Sequence, residues 1–188
     1  MDLILGGTKL SKFWKDDKKW SDIFIPEIKQ ILGKTFNVDE DLIVEADDEE
    51  DMKHNTDIVL LINSKRVACR IRRLFYYNKH YYRNDFTIRT DRPSGSKTEL
   101  EKIREGWGDY FFYGFGDEEK LLWWGIGDLK TFRNWFEENT TITRFGGEIF
   151  PGIKHSNKDG SSDFHVFKWN DLPSNFIIKK APGYRKVK

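Results

Sequence analysis

The sequence predicts an α/β protein built on a mixed β-sheet flanked by helices, and three observations predict it. Residues 55–73, reading NTDIVLLINSKRVACRIRR, join a near-continuous apolar run to an alternating one through a polar break, the pattern of a strand hairpin. Apolar positions at helical spacing precede this hairpin, and others follow it at Leu129, Phe132, Trp135 and Phe136. Further short strand-like runs lie between, so helices and strands interleave along the chain.

Composition bounds the reading. The 188 residues suffice for one domain over 1–188, with a core at about 20–136, a C-terminal extension at 140–178 and a basic tail at 179–188. Charged residues make up 34% and aromatics 15%, so a charged surface encloses an aromatic interior. A net charge of +1 gives no global attraction to nucleic acid, and any electrostatic footprint must come from local segregation. Cys69, the single cysteine, excludes an intramolecular disulfide and a Cys-rich zinc site, and fits a reducing cytoplasmic setting. No apolar run approaches the roughly 18–20 residues of a membrane span. The N-terminal apolar patch has no basic region ahead of it, unlike a signal peptide. A soluble cytoplasmic protein is expected.

The elements follow in order. Trp20, Ile23, Phe24, Ile28 and Ile31 fall near helical spacing, and Pro26 belongs in a first turn, so a helix runs over 26–32 and stops at Gly33. Glu27 lies in its first turn. Residues 42–44 form a short β-like run, and the five acids of 47–51 form a solvated loop. Ile58 to Ile62 is apolar on both faces, a strand within a sheet. After the turn residues Asn63, Ser64 and Lys65, the next strand alternates Val67, Cys69 and Ile71 with Arg66, Ala68, Arg70 and Arg72. One face enters the core and the other is a row of guanidiniums.

Residues 75–82 (FYYNKHYY) have no clean period, and 86–89 form a strand with Arg89 on one side. Thr98-Glu99-Leu100-Glu101 matches a capping box that opens a helix to about Arg104. Residues 110–113 and 121–126 are strands, and Asp128 caps the amphipathic helix after it. Candidate strands at 164–169 and 176–178 end the chain.

This order of elements resembles the PD-(D/E)xK nuclease superfamily, which has the restriction-endonuclease-like fold. There, a helix bearing a Glu precedes a hairpin with an Asp on one strand and an acid and a Lys two apart on the next, and a helix follows. The resemblance covers about residues 20–136 and implies a restriction-endonuclease-like core. It sets Glu27 on the leading helix, Asp57 in the first acid's place, and Arg70 and Arg72 in the (D/E)xK positions. It implies catalytic roles for Asp57, Arg70 and Arg72, and a Mg²⁺ or Mn²⁺ ion held by Asp57 with Glu27 and a displaced acid, Glu101 or Glu99. Carboxylates suit such a hard cation, which activates water against a phosphodiester. The departure is Arg70, because a guanidinium is never a ligand.

The bases carry a second reading. Arg66, Arg73, Arg83, Arg89 and Lys97 interleave with Tyr77 and Tyr81, a mix that suits phosphate neutralisation with base stacking. It equally suits a protein interface anchored by Tyr and Arg. The sequence therefore predicts a protein acting on DNA or RNA, as a metal-dependent phosphodiesterase with a divergent site. The alternative is a non-catalytic module that binds nucleic acid or an acidic protein partner through the Arg/Tyr face. A carboxylate beside Asp57, from Glu27, Glu49, Glu99 or Glu101, would favour the enzyme.

Overall fold

The computed structural model describes residues 16, 18–54, 56–78 and 84–183. Helix α1 (Ile25–Phe36) carries Pro26 in its first turn and runs four residues past the predicted end. Gly33 does not stop it. Gly33 lies buried where a Cβ would stand 2.9 Å from the Val38 carbonyl, so its smallness admits the returning chain. Asn37 ends the helix, in the left-handed conformation at φ 54°, with its N–H donated to the Gly33 carbonyl.

Strand β1 (Ile43–Glu45) follows, then helix α2 (Asp48–His54), which contradicts the loop expected for the acidic run. The four acids of its first turn face the positive end of the helix dipole, and Lys53 pairs with Glu49 one turn later. The hairpin forms from β2 (Ile58–Leu60) and β3 (Lys65–Arg73). Its turn residues Asn63 and Ser64 take positive φ of 66° and 50°. Helix α3 (Leu74–Asn78), strand β4 (Asp85–Asp91), helix α4 (Glu99–Arg104), strands β5 (Tyr110–Gly116) and β6 (Leu121–Asp128) and helix α5 (Leu129–Asn139) come next. The caps form as the sequence requires: Thr98 and Glu101 close a capping box on α4, and the Thr131 N–H donates to Asp128 Oδ1 at 2.6 Å.

The main sheet is mixed and six-stranded, in the order β1-β2-β3-β5-β6-β11, where β11 is Ile177–Lys180. β3 and β5 pair in parallel through a crossover that contains α4, and the other pairs are antiparallel. A short hairpin, β7 (Thr141–Ile142) with β8 (Glu148–Ile149), precedes strands β9 (Ile153–Ser156) and β10 (Asp163–Lys168). β10 joins β4 and β9 in a second sheet. Residues 163–180 are thus woven into both sheets, so the segment beyond 140 completes the fold and β11 takes in the first residues of the basic tail. Among the described residues no helix is long and apolar enough to cross a membrane.

Two cores lie on opposite faces of the main sheet. Phe24, Ile28 and Leu32 of α1 and its N-terminal flank pack on Val67, Phe112 and Ile126. On the other face Ala68, Phe111, Tyr113 and Phe115 pack with α4, α5 and the β4–β10 layer, with Phe86 in contact with Phe111, Phe132, Phe167, Trp169 and Phe176. Because side chains alternate along a strand, Arg66, Arg70 and Arg72 share the face of Ala68. The guanidinium row therefore points at a second protein layer.

Candidate functional site

Asp57 stands just before β2. Continuing the Ile58–Val67 register by one residue sets it against Ala68, which offers no ligand atom. The Cys69 N–H donates to Asp57 Oδ2 at 2.5 Å, so the carboxylate closes the β3 ladder where β2 has run out. Burial foremost pushes the Asp57 carboxyl up to about 7. Asp51 and Glu99 add to the rise, while the Cys69 N–H and Arg70 oppose it. Cys69 is raised well above its ordinary range by burial and by Asp57, which leaves it an inert thiol.

Arg70 reaches across to α4 and β4. Its Nη2 donates to Glu99 Oε2 at 2.8 Å, and its Nη1 donates to the carbonyl and hydroxyl oxygens of Thr87, each at 3.3 Å. Glu99 is 4% exposed and also accepts the Arg89 backbone N–H at 3.0 Å. Arg70 thus lies in the electrostatic field of two carboxylates, Asp57 and Glu99. Burial of a carboxylate demands such a partner.

The remaining predicted residues go elsewhere. Glu27 Oε2 accepts the Leu121 N–H at 2.9 Å, in the Arg73–Gly116–Leu121 row of the sheet. That row lies four residues along and two strands across from Cys69, about 16 Å at ordinary strand spacings, so Glu27 and Asp57 cannot share an ion. Glu101 is exposed and committed to the capping box, its Oε2 accepting the Thr98 N–H at 2.6 Å. Glu49 pairs with Lys53 on the surface. Of the four carboxylates weighed as a partner for Asp57, Glu99 alone enters its electrostatic environment, and it arrives ion-paired to Arg70.

These placements decide whether Mg²⁺ or Mn²⁺ fits. Asp57 is capped by an amide, its cross-strand neighbour is Ala68, and Glu99, the candidate acid whose charge it feels, is already ion-paired to Arg70. Among the described residues no group of three or more His, Cys, Asp or Glu side chains is arranged to hold a metal ion. A divalent ion beside the permanent Arg70 charge is repelled rather than bound. The residues do not fit the metal.

The stacking surface expected of Tyr77 is likewise absent, because Tyr77 is fully buried in the second core and its ring packs on Phe115. Arg72 lies 3.7 Å over the Tyr76 ring; burial opposes its charge, but Tyr113 and Tyr76 hold its pKa above the ordinary value. Arg66 donates to Glu50 at 3.4 Å, Arg73 stacks over Trp20 at 4.5 Å, and Lys97 pairs with Glu105 at 2.6 Å. Arg83 and Tyr81 lie outside the described residues.

Arg89 and two bases that sequence reasoning missed, Arg92 and Lys102, behave differently. Burial first, then Arg70 and Arg92, lower the Arg89 guanidinium to about 10, so it remains charged at neutral pH. Lys102 is only 8% exposed, and its Nζ donates to the Met52 carbonyl at 2.5 Å. Its signal in the sequence is an i, i+3 pair with Glu99 on a six-residue helix whose buried positions are Glu99, Leu100, Lys102 and Ile103. No family model, curated protein or solved structure matches the chain.

Proposed function

We propose that the protein is a nucleic-acid-binding module on a divergent restriction-endonuclease-like core, and that it binds without cleaving. One observation carries the reading: the cations Arg70, Arg89, Arg92 and Lys102 form one electrostatic neighbourhood and outnumber the acids within it, Glu99, Asp51 and Asp57. A cluster with more cations than acids attracts a polyanion and releases its counterions. The scaffold supports the same reading, since a leading helix, an Asp-bearing hairpin and a following helix recur here in the order the superfamily uses. Arg70 in the position of a ligating acid argues for binding over hydrolysis. A cytoplasmic setting, where nucleic acid is at hand, belongs to this reading.

The experiment measures binding and cleavage of labelled single- and double-stranded DNA and RNA with Mg²⁺, Mn²⁺ or EDTA. Binding that weakens steeply with salt, without metal-dependent cleavage, is expected. Cleavage that needs Mg²⁺ or Mn²⁺ and disappears in Asp57→Ala would establish the nuclease instead, and absence of binding, or binding indifferent to salt, would overturn a reading built on the cation cluster.

A further inference from the structure

A cleft of about 650 Å³ opens between α2, the segment 92–97 and α4, lined in part by Met52, His54, Arg92, Ser96, Lys102 and Trp107. Two of its side chains have hydrogen-bonding capacity that the protein leaves unused. An ammonium has three N–H donors, and Lys102 spends one on the Met52 carbonyl. Its other two have no acceptor among the described residues, although more than nine-tenths of the residue is buried. The Arg92 side chain forms no hydrogen bond and no ion pair among the described residues; only its backbone carbonyl is engaged, by the Gly95 N–H. By contrast, Lys53 and Lys97 in the same walls are each spent on a glutamate, Glu49 and Glu105.

We propose that this cleft binds one phosphate group, held by Arg92 and the free donors of Lys102. The inference rests on the nucleic-acid reading for its physiological ligand, the phosphodiester, but the site itself needs only the phosphate chemistry. A phosphate offers several acceptor oxygens, enough to satisfy the unused Lys102 donors and a guanidinium fork together. Neighbouring charge supports it: burial first, then Arg92 and Arg89, pull the Lys102 ammonium below its ordinary pKa, against Asp51 and Glu99. An anion relieves that repulsion. The cleft's aromatic wall is already engaged within the protein, since Trp107 stacks on His54 at 3.6 Å and Arg66 lies 5.8 Å from its ring. The unused groups are cationic donors, which suit a backbone phosphate and carry no sequence information.

The test titrates the full chain with inorganic phosphate, with chloride holding ionic strength constant, and follows the thermal midpoint. Short oligonucleotides with and without a terminal phosphate are titrated in parallel by fluorescence anisotropy. Wild type is expected to be stabilised by phosphate beyond the chloride control. Arg92→Gln, a surface change that leaves the core intact, is expected to lose that response and to weaken oligonucleotide binding about tenfold or more. Lys102→Met keeps the apolar stem and is expected to behave likewise. Phosphate binding lost in Arg92→Gln without any oligonucleotide binding would uphold the site and assign it to a free phosphate or a monoester, against the nucleic-acid reading. Oligonucleotide binding equal in wild type and Arg92→Gln, or a phosphate response equal in both, would overturn the site while leaving that reading standing.

Discussion

Asp57 and Cys69 are joined across the hairpin, the Cys69 amide donating to Asp57 Oδ2 at 2.5 Å. A carboxylate thus finishes a strand ladder, and its charge is set against burial. The pKa of about 7 gives this arrangement a measurable signature.

Between the ordinary value of 3.8 and about 7, folded Asp57 holds a proton that the unfolded chain releases. Its contribution to stability therefore falls as pH rises across that window and levels off above it. Asp57→Asn supplies a neutral acceptor for the Cys69 N–H and should flatten the slope. The difference between pH 4 and 8 should amount to at most about 4 kcal/mol. Urea denaturation of both proteins across this range checks it, and parallel profiles would refute the assignment.

Arg70 and Glu99 should behave as one unit. Glu99→Gln strands a guanidinium and Arg70→Ala strands a carboxylate that is 4% exposed, so each single change should cost about 3–5 kcal/mol. The double variant should cost less than the sum by about 1–3 kcal/mol, since neither charge then remains unpaired. Additive costs in chemical denaturation would mean that the pair is incidental.

Arg104 ties the chain beyond residue 140 to the core, bridging Glu137 of α5 at 2.7 Å and Glu148 of β8 at 2.9 Å. It is also held above its ordinary pKa by Glu148 and Glu137. Arg104→Ala should lower global stability by only about 1 kcal/mol, because the bridges are largely exposed. Hydrogen exchange should nevertheless speed up across 141–149 while β5 and β6 stay protected. Unchanged exchange in that hairpin would show that its own contacts hold it.

Much of the architecture was legible in short-range patterns. The two-residue period of Val67, Cys69 and Ile71 put them toward α1, and the capping boundaries at Thr98 and Asp128 are where the sequence placed them. Such signals survive because they depend on the residue and its near neighbours in the chain. The acidic run reads as a loop because its like charges repel; docking adds a Lys18–Asp48 pair at 3.3 Å, an Arg66–Glu50 contact at 3.4 Å and the Lys102–Met52 bond, all from distant chain positions.

The sequence by itself determined which side chains share a strand face: it put Arg66, Arg70 and Arg72 together and opposite the apolar row. Only the tertiary structure decided what that face meets. β4 pairs with β10 across a long sequence separation, and together with α4 it brings Thr87 and Glu99 down onto Arg70. Periodicity fixes a side chain's direction relative to its own strand, whereas its dielectric surroundings and its partners come from layers assembled by long-range pairing. For that reason the same arginines read as an open row in the sequence and fold against acids and aromatic rings, Arg66 on Glu50, Arg70 on Glu99 and Arg72 on Tyr76, with the unspent positive charge left at Arg92 and Lys102.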